Sequence, residues 1–128
     1  MAFVFVCIDG GPTKKPLVGK LEDFGVSFVD VGMGLYLSGD SLGGILRVTT
    51  SLPEKRQAAR SRMSLHGDDK NEYDKNIQIA DLNALNAALA VVKWKKLRGF
   101  YLDQEHELFS SYTVGCNMLL GEDTDEKN

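Results

Sequence analysis

Ala2-Phe3-Val4-Phe5-Val6-Cys7-Ile8 is continuously apolar and rich in β-branched and aromatic residues. It does not alternate between apolar and polar, which predicts a central parallel strand covered on both faces. Asp9-Gly10-Gly11-Pro12-Thr13 breaks the run. From Lys14 to Phe24 the rhythm changes: Leu17, Val18, Leu21 and Phe24 recur at helical spacing, and Gly25 supplies a stop. Pro16 fits such a helix only in its first turn. Val26-Ser27-Phe28-Val29-Asp30-Val31 then predicts a second strand. A strand–helix–strand unit of this kind expects a right-handed crossover and parallel pairing. Leu35-Tyr36-Leu37 and Gly44 to Thr50 flank Ser38-Gly39-Asp40-Ser41, which predicts a hairpin and an antiparallel extension of the sheet.

Ser51 to Asn76 is polar, basic first (Lys55, Arg56, Arg60, Arg62) and then acidic (Asp68, Asp69, Glu72, Asp74). It reads as a long exposed crossing loop with a short helix near Pro53 to Arg60, and a loop of that length in a compact domain points to function. Ile77 to Leu97 carries the strongest helix signal, with alanine, leucine and lysine dominating. Nearly every position from Ala84 to Val92 is apolar, which predicts a largely buried helix. Lys93, Lys95, Lys96 and Arg98 suit the negative end of its dipole, and Gly99 stops it. Leu108 to Val114 predicts one last strand. Residues 122–128 form an acidic tail with little to bury. The expected architecture is α/β, with a parallel strand–helix–strand unit, an antiparallel hairpin extension and a long buried late helix.

A length of 128 residues suits one domain with a real core. The net charge of -3 argues against nucleic acid as the main partner, because phosphate binding needs a basic surface. No apolar run approaches the roughly 20 residues that span a bilayer, so no membrane partner is expected. The opening apolar run has no basic leader and no small-residue cleavage site, and reads as a strand rather than a signal peptide. The two cysteines, Cys7 and Cys116, form no CxxC pair, so neither a disulfide framework nor a zinc ribbon is expected. The expected compartment is a reducing cytoplasm.

Three stretches together resemble a known family. Phe3-Val4-Phe5-Val6-Cys7-Ile8-Asp9, followed by a turn and Lys14, is similar to the ThiF and MoeB strand that ends in a "TDN" triplet with an arginine soon after. Gly25-Val26-Ser27-Phe28-Val29-Asp30-Val31-Gly32-Met33-Gly34 resembles the strand that follows it. Ile77 to Leu97 resembles the family's late helix in a bacterial branch. Residues 1–121 thus look like the carboxyl-terminal half of a ThiF-type adenylyltransferase domain, with 51–76 as its crossing loop. The fold this implies is a partial Rossmann-like sheet. The activity it implies is ATP-dependent activation of the carboxyl-terminal glycine of a ubiquitin-like or sulfur-carrier protein, with ATP and magnesium as cofactors. The family's GxGGxGS loop has no counterpart here, and no GxGxxG pattern occurs. This sequence alone is therefore expected to be inactive. A different class of function, a non-catalytic Rossmann-like docking or dimerisation module, fits the same residues. In either case a sheet lacking half its strands predicts a homodimer.

The resemblance assigns Asp9 to the strand edge, holding magnesium and the phosphates, where a metal clamp offsets the repulsion between two anions. Without the resemblance, Asp9 reads as a turn residue bonding its own backbone beside Gly10 and Gly11. Lys14 takes the family's arginine position, facing phosphate or the incoming carboxylate; otherwise it is a first-turn surface lysine. Asp30 inside an apolar strand is costly unless paired or close to the cleft. Cys7 reads as a packing residue of a buried strand. Cys116 reads as exposed, and as a thioester nucleophile it has only His106 nearby in sequence for a base. Glu105-His106-Glu107 reads as a solvated turn, since adjacent residues point in different directions. The basic run from Lys55 to Arg62 reads as a solvated face or a guide for an acidic partner. Asn83 and Asn86 need partners on a buried helix, first of all in packing or a subunit contact.

Overall fold

The computed structural model describes residues 2–8, 12–63 and 79–122. Five strands form one mixed sheet in the order β1 (Phe3–Val6), β2 (Ser27–Ser38), β3 (Ser41–Ser51), β4 (Phe109–Thr113) and β5 (Met118–Glu122). The helices are α1 (Lys14–Asp23), α2 (Arg56–Arg62) and α3 (Ala80–Leu97). The architecture is α/β.

β1 and β2 pair in parallel, Phe3 opposite Ser27 and Val6 opposite Asp30, with α1 between them in the chain. Every other pairing is antiparallel. α1 ends as its sequence predicts. Gly25 adopts φ 71°, and the N–H groups of Gly25 and Val26 donate to the carbonyls of Glu22 and Leu21, each at 3.0 Å. This Schellman closure needs a residue in the left-handed region, which glycine adopts without strain. α3 closes in the same way at Gly99, φ 85°, through bonds from Gly99 and Phe100 to Lys96 and Lys95.

Residues alternate between the two faces of the sheet, and each face has its own core. On one side Val6 and Phe28 pack with Val18 of α1 and with Ala59 and Met63 of the α2 segment; Val4 and Leu21 lie against them. On the other side Val29 and Val48 pack with Ala90 of α3, joined by Phe3, Val31 and Leu89. Phe28, Val18, Val29 and Leu46 are fully buried. Each contributes on the order of 1.5–3 kcal/mol by leaving water.

Five expectations are corrected. β1 is an edge strand among the described residues, not a central one. Its run is apolar because helices cover both faces: Val4 and Val6 face α1, while Phe5 meets Trp94 of α3 edge to face at 6.2 Å. Cys7 falls just past the strand and is exposed. α3 is not largely buried. It lies on one face of the sheet, so Asn86, Ala90 and Lys93 turn inward while Leu85, Val91 and Val92 remain about 40% exposed. The chain segment after the expected last strand forms a further strand, β5, and the assigned acidic tail loses Glu122 to it. β2 and β3 also run longer than expected, because Gly32 and Gly34 keep their ladder partners Arg47 and Ile45.

Candidate functional site

The parallel pair β1–β2 has one carboxyl-terminal edge, the place where open α/β sheets commonly bind ligands. α1 begins beside it with Lys14, and β2 brings Asp30 to it on the face that α1 covers. Lys14 Nζ lies 2.7 Å from Asp30 Oδ1, with the two side chains only 3% and 6% exposed. Lys14 is thus neither a surface lysine nor a cation open to solvent. Burial drives the Asp30 carboxyl above the ordinary aspartate range, and the hydrogen bond and charge of Lys14 pull it partly back. The Cys7 thiol is pushed up by burial and, less, by the negative charge of Asp30. A raised thiol is a poor nucleophile at neutral pH. Asp9, the residue to which the resemblance gives the metal, lies outside the described residues.

Behind this edge α2 is fastened to the start of β2 and the end of α1. Arg56 donates to Ser51 Oγ at 3.0 Å and to the Val26 carbonyl at 2.9 Å, with its guanidinium over the Phe28 ring. Arg60 forks onto the Glu22 carboxylate, Nη2 to Oε1 at 2.8 Å and Nε to Oε2 at 3.0 Å. The Glu22 hydrogen bond holds the Arg60 guanidinium more firmly charged than an isolated one. Arg62 pairs with Glu122 at 2.8 Å and lies over Phe109. The basic run is therefore not simply a solvated face. Three of its cations are committed to partners within the chain. Sequence reading missed this because the partners stand 5 to 60 residues away, with no local spacing to announce them.

The other face shows the same habit in α3. Asn86 Nδ2 donates to the Gly32 carbonyl at 2.9 Å, a packing role, while Asn83 points outward. Lys93 is buried between Asp103 at 3.5 Å and Glu107 at 3.7 Å, and Lys96 bonds Glu107 at 3.1 Å. Glu107 is consequently anchored rather than solvated, whereas His106 stays exposed. Among the described residues no group of three or more His, Cys, Asp or Glu side chains is arranged to hold a metal. No described helix is long and apolar enough to cross a membrane.

The described residues do not by themselves fit ATP. Triphosphate binding needs several N–H donors or free cations converging on one place. The candidate edge offers one lysine whose charge is already balanced by a buried carboxylate. Comparison of the chain with protein-family models, with curated proteins and with solved structures finds no match.

Proposed function

We propose that this chain is the carboxyl-terminal half of a Rossmann-like, ATP-dependent adenylyltransferase that activates the carboxyl-terminal glycine of a ubiquitin-like or sulfur-carrier protein. The observation that supports it best is the state of β1. The strand is apolar on both faces, packed by α1 on one and touched by α3 on the other with Phe5 left 38% exposed, paired in parallel on one side and without a neighbour among the described residues on the other. Such an edge is suited to accept a further parallel strand. In the proposal that strand belongs to the glycine-rich half of the domain, which brings the phosphate donors not found among the described residues. By the resemblance, Asp9 is the metal-holding acid of that joined domain. Lys14 begins α1 at the carboxyl edge, fixed by Asp30, and with it determines the local field.

When bound, ATP with magnesium would supply the electrophilic phosphorus, with pyrophosphate leaving as the substrate's glycine carboxylate attacks; by the resemblance Asp9 would hold the magnesium, while Lys14, paired with Asp30, would help to fix the amino end of α1. The test is ATP–pyrophosphate exchange by a protein that joins a glycine-rich half to this sequence, with ubiquitin-like and sulfur-carrier proteins as substrates. Exchange is expected, and Asp9→Asn should reduce it on the order of a hundred- to thousandfold. Absence of exchange with the joined protein overturns the proposal. Near-normal exchange by the Asn variant removes Asp9 from the chemistry, since asparagine serves a mere turn equally well.

A further inference from the structure

α3 runs against the direction of β2. Asn86 bonds the Gly32 carbonyl and Ala90 packs on Val29, so the helix leaves the sheet at the amino end of β2. α1, on the other face, closes at that same end, where Gly25 and Val26 lead into β2. The three most exposed large apolar side chains among the described residues stand in or just after these two closing turns: Leu102 at 78%, Phe24 at 73% and Phe100 at 71%. Two cations accompany them. Lys95 Nζ lies 5.1 and 5.5 Å from the ring centres of Phe100 and Tyr101, and the Arg98 guanidinium lies 5.7 Å from that of Trp94. Neither cation serves the helix end. The carbonyls of Trp94, Lys95 and Lys96 accept instead from the backbone N–H groups of Arg98, Phe100 and Gly99. Neither cation pairs with a carboxylate among the described residues, because the acids of the loop are taken: Asp103 by Lys93, and Glu107 by Lys93 and Lys96.

We infer that this end of the molecule docks on the surface of an anionic phospholipid bilayer. Phe24, Phe100 and Leu102 enter the boundary of the acyl chains, while Lys95 and Arg98 meet the headgroup phosphates. Such a contact lies on the membrane and needs no spanning helix. The net charge of -3 opposes it weakly, because acids more than about 8 Å from the surface are screened at physiological salt. Two observations select a bilayer over other anionic partners. The apolar points stand on helices of opposite sheet faces, so no single pocket of a folded partner takes both, whereas a fluid surface meets both at once. A nucleic-acid strand would stack its bases on open ring faces; Lys95 and Arg98 already lie over these rings, and stacking leaves no use for Leu102. Docked this way, the candidate edge at Lys14, the opposite end of α1, faces away from the membrane. The inference does not depend on the adenylyltransferase reading, and its readout is lipid binding rather than activity.

Flotation of the full chain with vesicles tests it, one set of phosphatidylcholine alone and one of phosphatidylcholine with phosphatidylserine. Binding to the anionic set is expected, weakening as salt is added. Phe100→Ser with Leu102→Ser should lower the partition coefficient about a hundredfold, and Phe24→Ser about tenfold. Lys95→Gln with Arg98→Gln should lower it about thirtyfold on anionic vesicles and leave the weaker binding to neutral ones unchanged. The apolar side chains replaced are exposed, so the circular dichroism of those variants should match that of the unaltered chain. A purely structural role for the two cations predicts equal losses on both vesicle sets. No binding to anionic vesicles, equal binding to both sets, or indifference to the Phe100 and Leu102 changes overturns the inference. Tighter binding of a single-stranded oligonucleotide, lost in that same variant, would assign this end to nucleic acid and overturns it as well.

Discussion

The two faces of the sheet are held to their helices by different polar contacts. On the α1 face the anchor is a buried charge pair, Lys14 with Asp30. On the α3 face one anchor is a neutral amide, Asn86 on the Gly32 carbonyl, and the charged residues Lys93, Asp103 and Glu107 tie the following loop back to the helix. Both arrangements meet the same requirement, that a polar group removed from water find a partner. They differ in what happens when one member is lost. A neutral donor leaves behind an unsatisfied carbonyl; a lost cation leaves behind an uncompensated buried anion. The Lys14–Asp30 anchor should therefore be more fragile than the Asn86 anchor.

Lys14→Met is the most direct way to break this contrast, and it should have the largest effect. Removing one partner of a buried ion pair typically costs about 3–5 kcal/mol, because the other charge stays in the low-dielectric interior. Urea unfolding measures it. The double variant Lys14→Met with Asp30→Leu should be more stable than Lys14→Met alone, since nothing charged remains buried. Equal instability of the two would show that Lys14 acts through its packed methylene chain rather than its charge.

Asn86→Ala probes the opposite face and should cost less, about 1–2 kcal/mol, for one lost hydrogen bond and a small packing gap. A loss as large as that of Lys14→Met would remove the distinction between the two faces. Such a result would also mean that the α3 face depends on Asn86 for its register against β2, not only for a bond.

The same contrast explains what could be read from the sequence. α1 carried its limits in local signals, Pro16 in the first turn and Gly25 at the end, and both stand where the helix begins and closes. The β2–β3 hairpin was similarly legible from Ser38-Gly39-Asp40-Ser41. Periodicity could not tell which neighbour buries an apolar run. Phe3 to Val6 is covered by helices at a sheet edge, and a run covered that way looks the same as one between two strands. It likewise could not separate an α3 buried all round from one that is apolar on an uncovered side. At the candidate edge, Asp30 was legible as an acid in need of a partner. That the partner is Lys14 follows only from the return of β2 alongside β1, a long-range pairing that no spacing encodes.

The smallest effect is a pH dependence, and its sign is the sharpest measure of how burial and pairing compete at Asp30. The carboxyl is raised above its ordinary 3.8 chiefly by burial, with Lys14 opposing through its hydrogen bond and charge. Between that ordinary value and the raised native one, the folded protein holds a proton that the unfolded chain has released. Stability then falls as pH rises, because the native state binds more protons in that interval. The contribution of Asp30 is fully present below the unfolded value and is lost as pH passes through the folded one. Asp30→Asn cannot titrate, so subtracting its unfolding free energy from that of the unaltered chain, pH by pH, isolates this group from the other carboxylates. The difference should decrease as pH is raised through the interval and then level off. A difference that increases instead would mean that Lys14 outweighs burial, placing Asp30 among the ordinary paired aspartates and leaving the two faces alike in kind.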